Sequence, residues 1–415
     1  MLLQNHSGSQ QRDKPVILVV GHCGIPTGFS RVLRQIILTL SAADFSLHHL
    51  AINLPQGEPT PDWPCPVLHN HDPRDLHSPD VLLRVLDSLR PDVALILDEP
   101  WACARFMPAF AHHQRVRVVL YLAIHGRESL PPPIVADLST AHHLVAFTPQ
   151  ACELLHQALQ PLAAGPRVSV IPHGVDTQAF RPLLKTSDGL PSHARISHAR
   201  QRLFPHNPEL NDGFIVLNAN RNQPFKGIDR CLEGFARFAQ GKPANVRLYL
   251  HMGSRPALPG EVPFVDQLGI RDRILPRHPP TVHPSAGDTW LNLLYNACDV
   301  GINTSQREGW GLVSFEHAAT GAAQIVPNHS STAELWPGRA LLLDTEVPDK
   351  APGPLFGGGN VQVGAISEAI ETLYTNTTLR ETLSTAAYRF ATDERFQWSR
   401  IGHMWSNLLH ALLAS

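Results

Sequence analysis

The chain has 415 residues, 34 Lys plus Arg against 36 Asp plus Glu, a formal charge of −2 and 43% hydrophobic residues. That length exceeds one ordinary core and suits two domains of about 150–200 residues. With no basic excess there is no call for a nucleic-acid backbone or an anionic membrane as partner, and no apolar run nears the roughly 18 residues that span a bilayer. The first ten residues lack a signal peptide's basic and long apolar regions. The six cysteines, Cys23, Cys65, Cys103, Cys152, Cys231 and Cys298, form no CxxC pair. Together these features predict free thiols in a reducing cytoplasm.

"PVILVV" (15–20) reads as a buried strand, and "FSRVLRQIILTL" (29–40) has helical apolar spacing. "LHNHDPRDLH" gathers His69, His71, Asp72, Asp75 and His77. These side chains suit metal, but no motif spacing is met, and the segment reads as a solvated loop before a helix near 79–90. "DVALILD" (92–98) is a strand, followed by a helix at 101–112. Strands at 116–124 and 143–147, a helix at 149–159 and "RVSVIP" (167–172) complete the first half. Residues 183–212, polar and proline-containing, break the pattern. It restarts with "GFIVLNAN" (213–220), a helix at 227–240 and "NVRLYLH" (245–251). A helix at 289–297, "DVGIN" (299–303), a helix holding Glu316, and "AAQIVP" (322–327) follow, with a last helix over 396–415. Short apolar strands alternating with helices predict α/β domains with parallel sheets covered on both faces. Two such doubly wound domains leave a cleft between the carboxyl ends of their strands, where ligands bind.

Three loops then carry the chemistry. "GHCGIPTGFSR" (21–31) leads from a strand into a helix, with Gly21, Gly24 and Gly28 permitting close backbone approach. It suits an anion or a simple tight turn. "NANRNQPFKGIDR" (218–230) sets Arg221 and Lys226 five apart, as phosphate ligands or as surface cations. "QREGWGLVSFEHAATG" (306–321) places Glu308 on a loop, Gly309, Trp310, Gly311 and Leu312 at a helix mouth, and Glu316 within the helix. Free amides there suit a diphosphate. A carboxylate on either side suits the two polyols of a nucleotide sugar, and the apolar neighbours of Glu316 argue against an idle buried charge.

"EGWGLVSFEHAATG" resembles the E-x7-E segment of the family 4 retaining glycosyltransferases, which have the GT-B fold. "RNQPFKG" is similar to that family's Arg-x4-Lys clamp, "IPHGVDTQAFRP" (171–182) to its interdomain linker, and "LYNACDVGINTSQREGWGL" to its approach to the motif. The resemblance is dense over 171–340 and thinner before. It implies two Rossmann-like domains, an acceptor side at 1–178 and a donor side at 179–395, with helix 396–415 packed back on the first. It implies a hexosyltransferase-type enzyme working with retention and without a metal or cofactor. The donor would be a UDP-, GDP- or ADP-sugar, the acceptor being open and no nucleic acid expected. Glu308 would meet the donor sugar and Glu316 the ribose, while Arg221 and Lys226 would neutralise the diphosphate. His125 in "YLAIHG" and Asp98 in "LILDEPW" would join Gly28 on the facing side, and His317 stands where the family usually has Ala. The alternatives are an epimerase or phosphorylase on this fold, or a non-catalytic nucleotide-sugar binder.

Overall fold

The computed structural model describes residues 14–24, 27–40, 44–70, 72, 74–126, 130–252, 261–276, 287–346 and 358–415. The first half alternates β1 (Val16–Gly21), α1 (Gly28–Leu40), β2 (Ser46–Pro55), β3 (Val67–Asn70), α2 (Pro79–Leu89), β4 (Val93–Asp98), α3 (Pro100–Phe106), β5 (Arg117–Leu122), α4 (Pro132–Leu138), β6 (His143–Ala146), α5 (Pro149–Leu159) and β7 (Arg167–Val170). The second half runs α6 (Ala194–Leu203), β8 (Phe214–Asn218), α7 (Ile228–Phe238), β9 (Val246–Leu250), α8 (Glu261–Gln267), β10 (Ile274–Leu275), α9 (Asp288–Ala297), β11 (Val300–Ile302), α10 (Leu312–Ala319), β12 (Ala323–Pro327), α11 (Ser330–Leu335), β13 (Leu341–Leu343), α12 (Val363–Thr375), α13 (Thr377–Ala391) and α14 (Trp398–Leu413).

Every pairing within the two main sheets is parallel, in the orders β3-β2-β1-β4-β5-β6-β7 and β10-β9-β8-β11-β12-β13. β1, β4, β8, β11 and β12 are buried along their whole length, as strands covered on both faces must be. In each sheet the order reverses beside the first strand, between β1 and β4 and between β8 and β11. A crevice opens at such a reversal.

The chain crosses between the sheets twice, and both crossings touch. Val175 N donates to Phe396 O at 2.9 Å, and Thr177 Oγ1 donates to Gln397 Oε1 at 3.0 Å. Gly174 has no room for a side chain, since a Cβ there would lie 2.6 Å from the Trp398 ring. From this corner α14 runs back along α1, with Gly402 against Thr39 and Trp405 edge-on to Tyr121 of β5. One apolar cluster joins both halves, reaching from Val145 and Tyr121 through Trp405 to Trp310, Phe315 and Trp336.

The structure departs from the sequence expectations in four places. β2 was not foreseen, because paired histidines interrupt its apolar run. His49 nevertheless lies fully buried, its Nε2 is 3.3 Å from Gly21 O, and burial lowers its pKa to about 4. The ring is neutral there and packs as an apolar group. The expected loop at 68–77 begins inside edge strand β3. Its described histidines and carboxylates have separate partners: His69 with Pro55 and Thr60, His77 with Asp98, and Asp75 with Arg105. His71 lies outside the described residues. The expected helix at 101–112 is α3 followed by a short 3-10 turn, Met107–Phe110, with Pro108 unable to donate the next helical hydrogen bond.

The fourth departure is α6, inside the stretch that reads as a polar break. It has no apolar stripe because two arginines do the packing. Arg195 donates to Asn296 O and Gly321 O. Arg200, 1% exposed, pairs with Asp299 and also reaches Ala297, Leu210 and Gly213 carbonyls. Asp299 in turn accepts from Ile215 N at 2.7 Å, so the pair pins α6 to β8 and the start of β11. Arg200→Met leaves that carboxylate buried and unpaired, and should cost about 3–5 kcal/mol. Urea unfolding should show the loss, and Arg200→Met/Asp299→Asn should recover part of it. An unchanged midpoint would mean the ion pair does not hold α6.

Candidate active site

The loops after β8 and β11 form one wall of the crevice. After β11, Asn303 turns its Oδ1 to Ser305 N (2.9 Å) and to Asn220 Nδ2 (3.3 Å), tying the two loops together. Glu308 follows, and its Oε2 lies 2.8 Å from Lys226 Nζ, 3.2 Å from Asn303 Nδ2 and 3.3 Å from Ser305 Oγ. The side chains of Lys226 and Glu308 are 11% and 13% exposed, so each charge has lost most of its water and leans on the other. Burial pushes the Glu308 carboxyl up. The charge and hydrogen bond of Lys226, with Asn303 and His125, outweigh burial and hold it below the usual range. Gly311, at φ 90°, makes the left-handed turn that starts α10, a conformation only glycine adopts freely. The Trp310 ring does not face the crevice. It stacks on Phe315 at 4.8 Å and lies against Phe396 and His173 in the shared core, which leaves only its backbone for a ligand.

Glu316 is 5% exposed, one turn into α10. Tyr295 donates its hydroxyl to Oε2 at 3.1 Å, and Arg31 Nη1 approaches Oε1 at 3.5 Å. Arg31 comes from α1 in the other half and also pairs with Asp288 at 2.7 Å. Burial raises the Glu316 carboxyl above its usual range, against the opposing charge of Arg31 and the Tyr295 hydroxyl. A cavity of about 330 Å³ lies here, lined by Arg31, Arg34 and Trp63 on one side and Asp288, Leu312 and Glu316 on the other. Sequence reasoning passed over Arg31. Its signal was its place three residues after Gly28, on the first turn of α1. His317 fills a notch at Gly301, where a Cβ would meet its Nδ1 at 2.5 Å. It stacks on Tyr295, with Nε2 3.1 Å from Tyr295 O. Its bulk therefore supports the tyrosine that holds Glu316.

The opposite wall comes from the ends of β1, β4 and β5. Gly28 opens α1, and a Cβ added there would meet nothing within 4 Å; Ile25 and Pro26 of the same loop lie outside the described residues. Asp98 turns inward, accepting from Glu99 N at 2.8 Å and lying 3.2 Å from His77 Nε2. His22 stands nearby. Burial lowers its pKa; the charge of Asp98 opposes this, while Arg221 and His77 add to it. Arg221, exposed on the facing loop, is thus within electrostatic reach of the first half.

His125 is pressed against the other wall. A Cβ on Gly309 would lie 3.2 Å from His125 Nδ1, and Ser330 Oγ donates to His125 O. The sequence pointed to Asp98, but it is the neighbouring Glu99 that meets His125, its Oε1 3.5 Å from Nε2. Trp101 Nε1 donates to the other Glu99 oxygen at 2.7 Å. Burial pushes the Glu99 carboxyl up, but His125 overrides it, helped by Trp101 and Arg307, and the net pKa falls to about 2. Such a carboxylate contributes stability that is present above its unfolded value, about 4.5, and is lost as the pH falls toward 2. Glu99→Gln should therefore unfold earlier than the parent at neutral pH in urea. The gap should stay constant above roughly pH 5 and close on acidification. A gap independent of pH would show that Glu99 is not held ionised by its neighbours.

No family model matches the chain. A D-inositol 3-phosphate glycosyltransferase of Geodermatophilus obscurus is 32% identical over 196 residues, 45% of this chain and 38% of that protein. One of Jonesia denitrificans is 28% identical over 303 residues, 71% of this chain and 60% of that protein. The matched stretches span less than two thirds of either relative's length. Among solved structures, sucrose-phosphate synthase of Thermosynechococcus elongatus superposes with a TM-score of 0.73 at 17% identity, covering 97% of this chain and 100% of that one. Anabaena HepE in complex with UDP-glucose gives 0.67 at 18% identity, over 95% and 99% of the two chains. Among the described residues no helix is long and apolar enough to cross a membrane. Two parallel Rossmann-like sheets that turn their strand ends to one crevice, matched along nearly the whole chain by these structures, make this a GT-B fold.

Proposed function

We propose that the chain is a glycosyltransferase. It moves a sugar from a nucleotide diphosphate sugar to an acceptor hydroxyl, with retention of configuration and without a metal. The observation that carries this reading is the Lys226–Glu308 pair at the mouth of α10, with His125 pressed against Gly309. One short stretch of crevice thus holds a cation for phosphate, a carboxylate for sugar hydroxyls and an imidazole from the facing half. The curated relatives carry a glycosyltransferase name, and HepE was solved in complex with UDP-glucose, which supports a UDP-sugar as the first donor to try.

On this reading the diphosphate sits on the first amides of α10, where free N–H groups and the helix dipole favour negative charge. Lys226 is shared between the diphosphate and Glu308, and Arg221 closes from the same loop. As the glycosidic bond breaks, negative charge grows on the departing phosphate, so these cations bind the transition state better than the donor. Glu308 stays ionised and accepts from hydroxyls of the sugar. Glu316 accepts from the ribose, an oxygen being freed as Arg31 shifts toward Asp288. His125 lies between the sugar and the acceptor side.

The decisive experiment incubates the protein with UDP-, GDP- and ADP-glucose, with and without D-inositol 3-phosphate or glucose 6-phosphate, and measures free nucleoside diphosphate. Acceptor-dependent release from one donor is expected, with the α configuration kept in the product by proton NMR. A donor that stabilises the protein but is never consumed would leave a binding protein. An inverted product would overturn retention. Excess chelator should leave the rate unchanged, and a loss restored by magnesium would overturn the metal-free mechanism.

Glu308→Gln should lower turnover roughly tenfold or more while nucleoside diphosphate binds as tightly as before or tighter, because Lys226 is released to the phosphate. Calorimetric titration beside a rate assay checks both halves. Near-parental turnover would remove Glu308 from the sugar site.

A further inference from the structure

We propose that Glu99 is the positioning residue of His125: it holds the imidazole with its proton on Nε2 and leaves Nδ1 as a hydrogen-bond acceptor at the mouth of α10. The proposal rests on the glycosyl-transfer reading only for what the ring then does.

Both ring nitrogens of His125 are buried, and among the described residues the nearest group offered to either is the Glu99 carboxylate, 3.5 Å from Nε2, a contact too long for a well-formed hydrogen bond. Such atoms are costly to leave unmatched, and where they persist they mark a place for a ligand or a moving group. The two nitrogens differ in their surroundings. Nε2 faces the Glu99 carboxylate at 3.5 Å, while Nδ1 lies on the side of Gly309. A carboxylate can only accept, so the nitrogen facing it carries the proton and the other keeps its lone pair. Asp98 turns elsewhere, its two oxygens meeting Glu99 N and His77 Nε2. Glu99 is itself held in place. Trp101, two residues on in the first turn of α3, fixes its second oxygen, and the charge of Arg307 adds to the hold.

The consequence for the site is specific. Nδ1 lies beside Gly309 and next to Glu308, where the loop after β5 meets the facing half. A hydroxyl of the donor sugar or of the acceptor entering there donates to Nδ1. The side chain of Glu99 stays behind the ring and touches neither. Its removal should therefore act on the rate constant of transfer through His125, and much less on the binding of either substrate.

The test uses protein labelled with 15N in histidine, at a pH where the imidazole is neutral, with His125→Asn to assign the signal. The parent should show a protonated Nε2 and an unprotonated Nδ1. Glu99→Ala should show an average of both tautomers, and Glu99→Gln, whose amide oxygen still accepts, should keep the parental pattern. In transfer assays Glu99→Ala should lower kcat about as much as His125→Ala, roughly tenfold or more, with KM for the donor within about threefold. The double variant should be no worse than either single, as expected of residues acting through one group. Glu99→Gln should restore most of the rate. Identical tautomer patterns in parent and Glu99→Ala, or losses that multiply in the double variant, would overturn the proposal. So would Trp101→Phe giving the same loss with the parental tautomer intact, since Glu99 would then serve only to seat α3. If no nucleotide sugar supports transfer, the function proposed above fails, and the tautomer measurement alone decides the role of Glu99.

Discussion

A parallel sheet sends the carboxyl ends of all its strands to one edge, and that constraint organises the rest of this molecule. Each sheet here reverses its strand order beside its first strand, so each opens a crevice at that edge. The corner where Val175 meets Phe396 sets the two edges face to face. Side chains at least 82 residues apart in the chain, Glu99, Lys226 and Glu308, are thereby brought to one place. None of the elements that carry them is unusual by itself. The loops are short, and the strands before them are buried and rigid.

Within the crevice, loss of water decides which groups are charged. Lys226 and Glu308 shield each other, and Glu308 stays ionised. Glu316 has weaker support, and burial moves its carboxyl the other way. The histidines divide similarly. His49, His173 and His317 are deep enough for burial to keep them neutral, and they pack as large apolar groups with one polar edge. A chain with 24 histidines is thus not a chain with 24 switches. Most of its site chemistry comes from carboxylates and cations whose partners lie in another loop.

The sheets were legible in the sequence because continuous apolar β-branched runs such as "VILVV" and "ALILD" have few other uses. The glycine-bracketed Glu308 and the Lys226 loop were legible because several rare features coincide there. Contacts that depend on the facing half were not. Asp98 and Glu99 are adjacent in the chain, and only the fold shows that one turns to His77 and the other to His125. Trp310 looked like a binding residue from its place between glycines, but its ring completes the core. Helix α6 escaped notice because buried arginines on carbonyl oxygens leave no hydrophobic period to detect. Arg31 escaped because an arginine on an amphipathic helix is ordinarily a solvated residue.

The doubled crossing has a mechanical meaning. Two stretches of backbone bonded to each other at 174–177 and 396–397, with Gly174 flat against Trp398, are placed to serve as one pivot. Any rearrangement of the halves that keeps those contacts is a rotation about that corner and not a slide. Travel then grows with the lever arm. Arg31 and Glu316 line the same cavity as Gly174 and Trp398, close to the axis, and their separation changes least. Groups at the far end of the crevice sweep the longest arc. On the reading proposed above, a nucleotide held near that corner would be displaced less by such a rotation than a ligand at the opposite end.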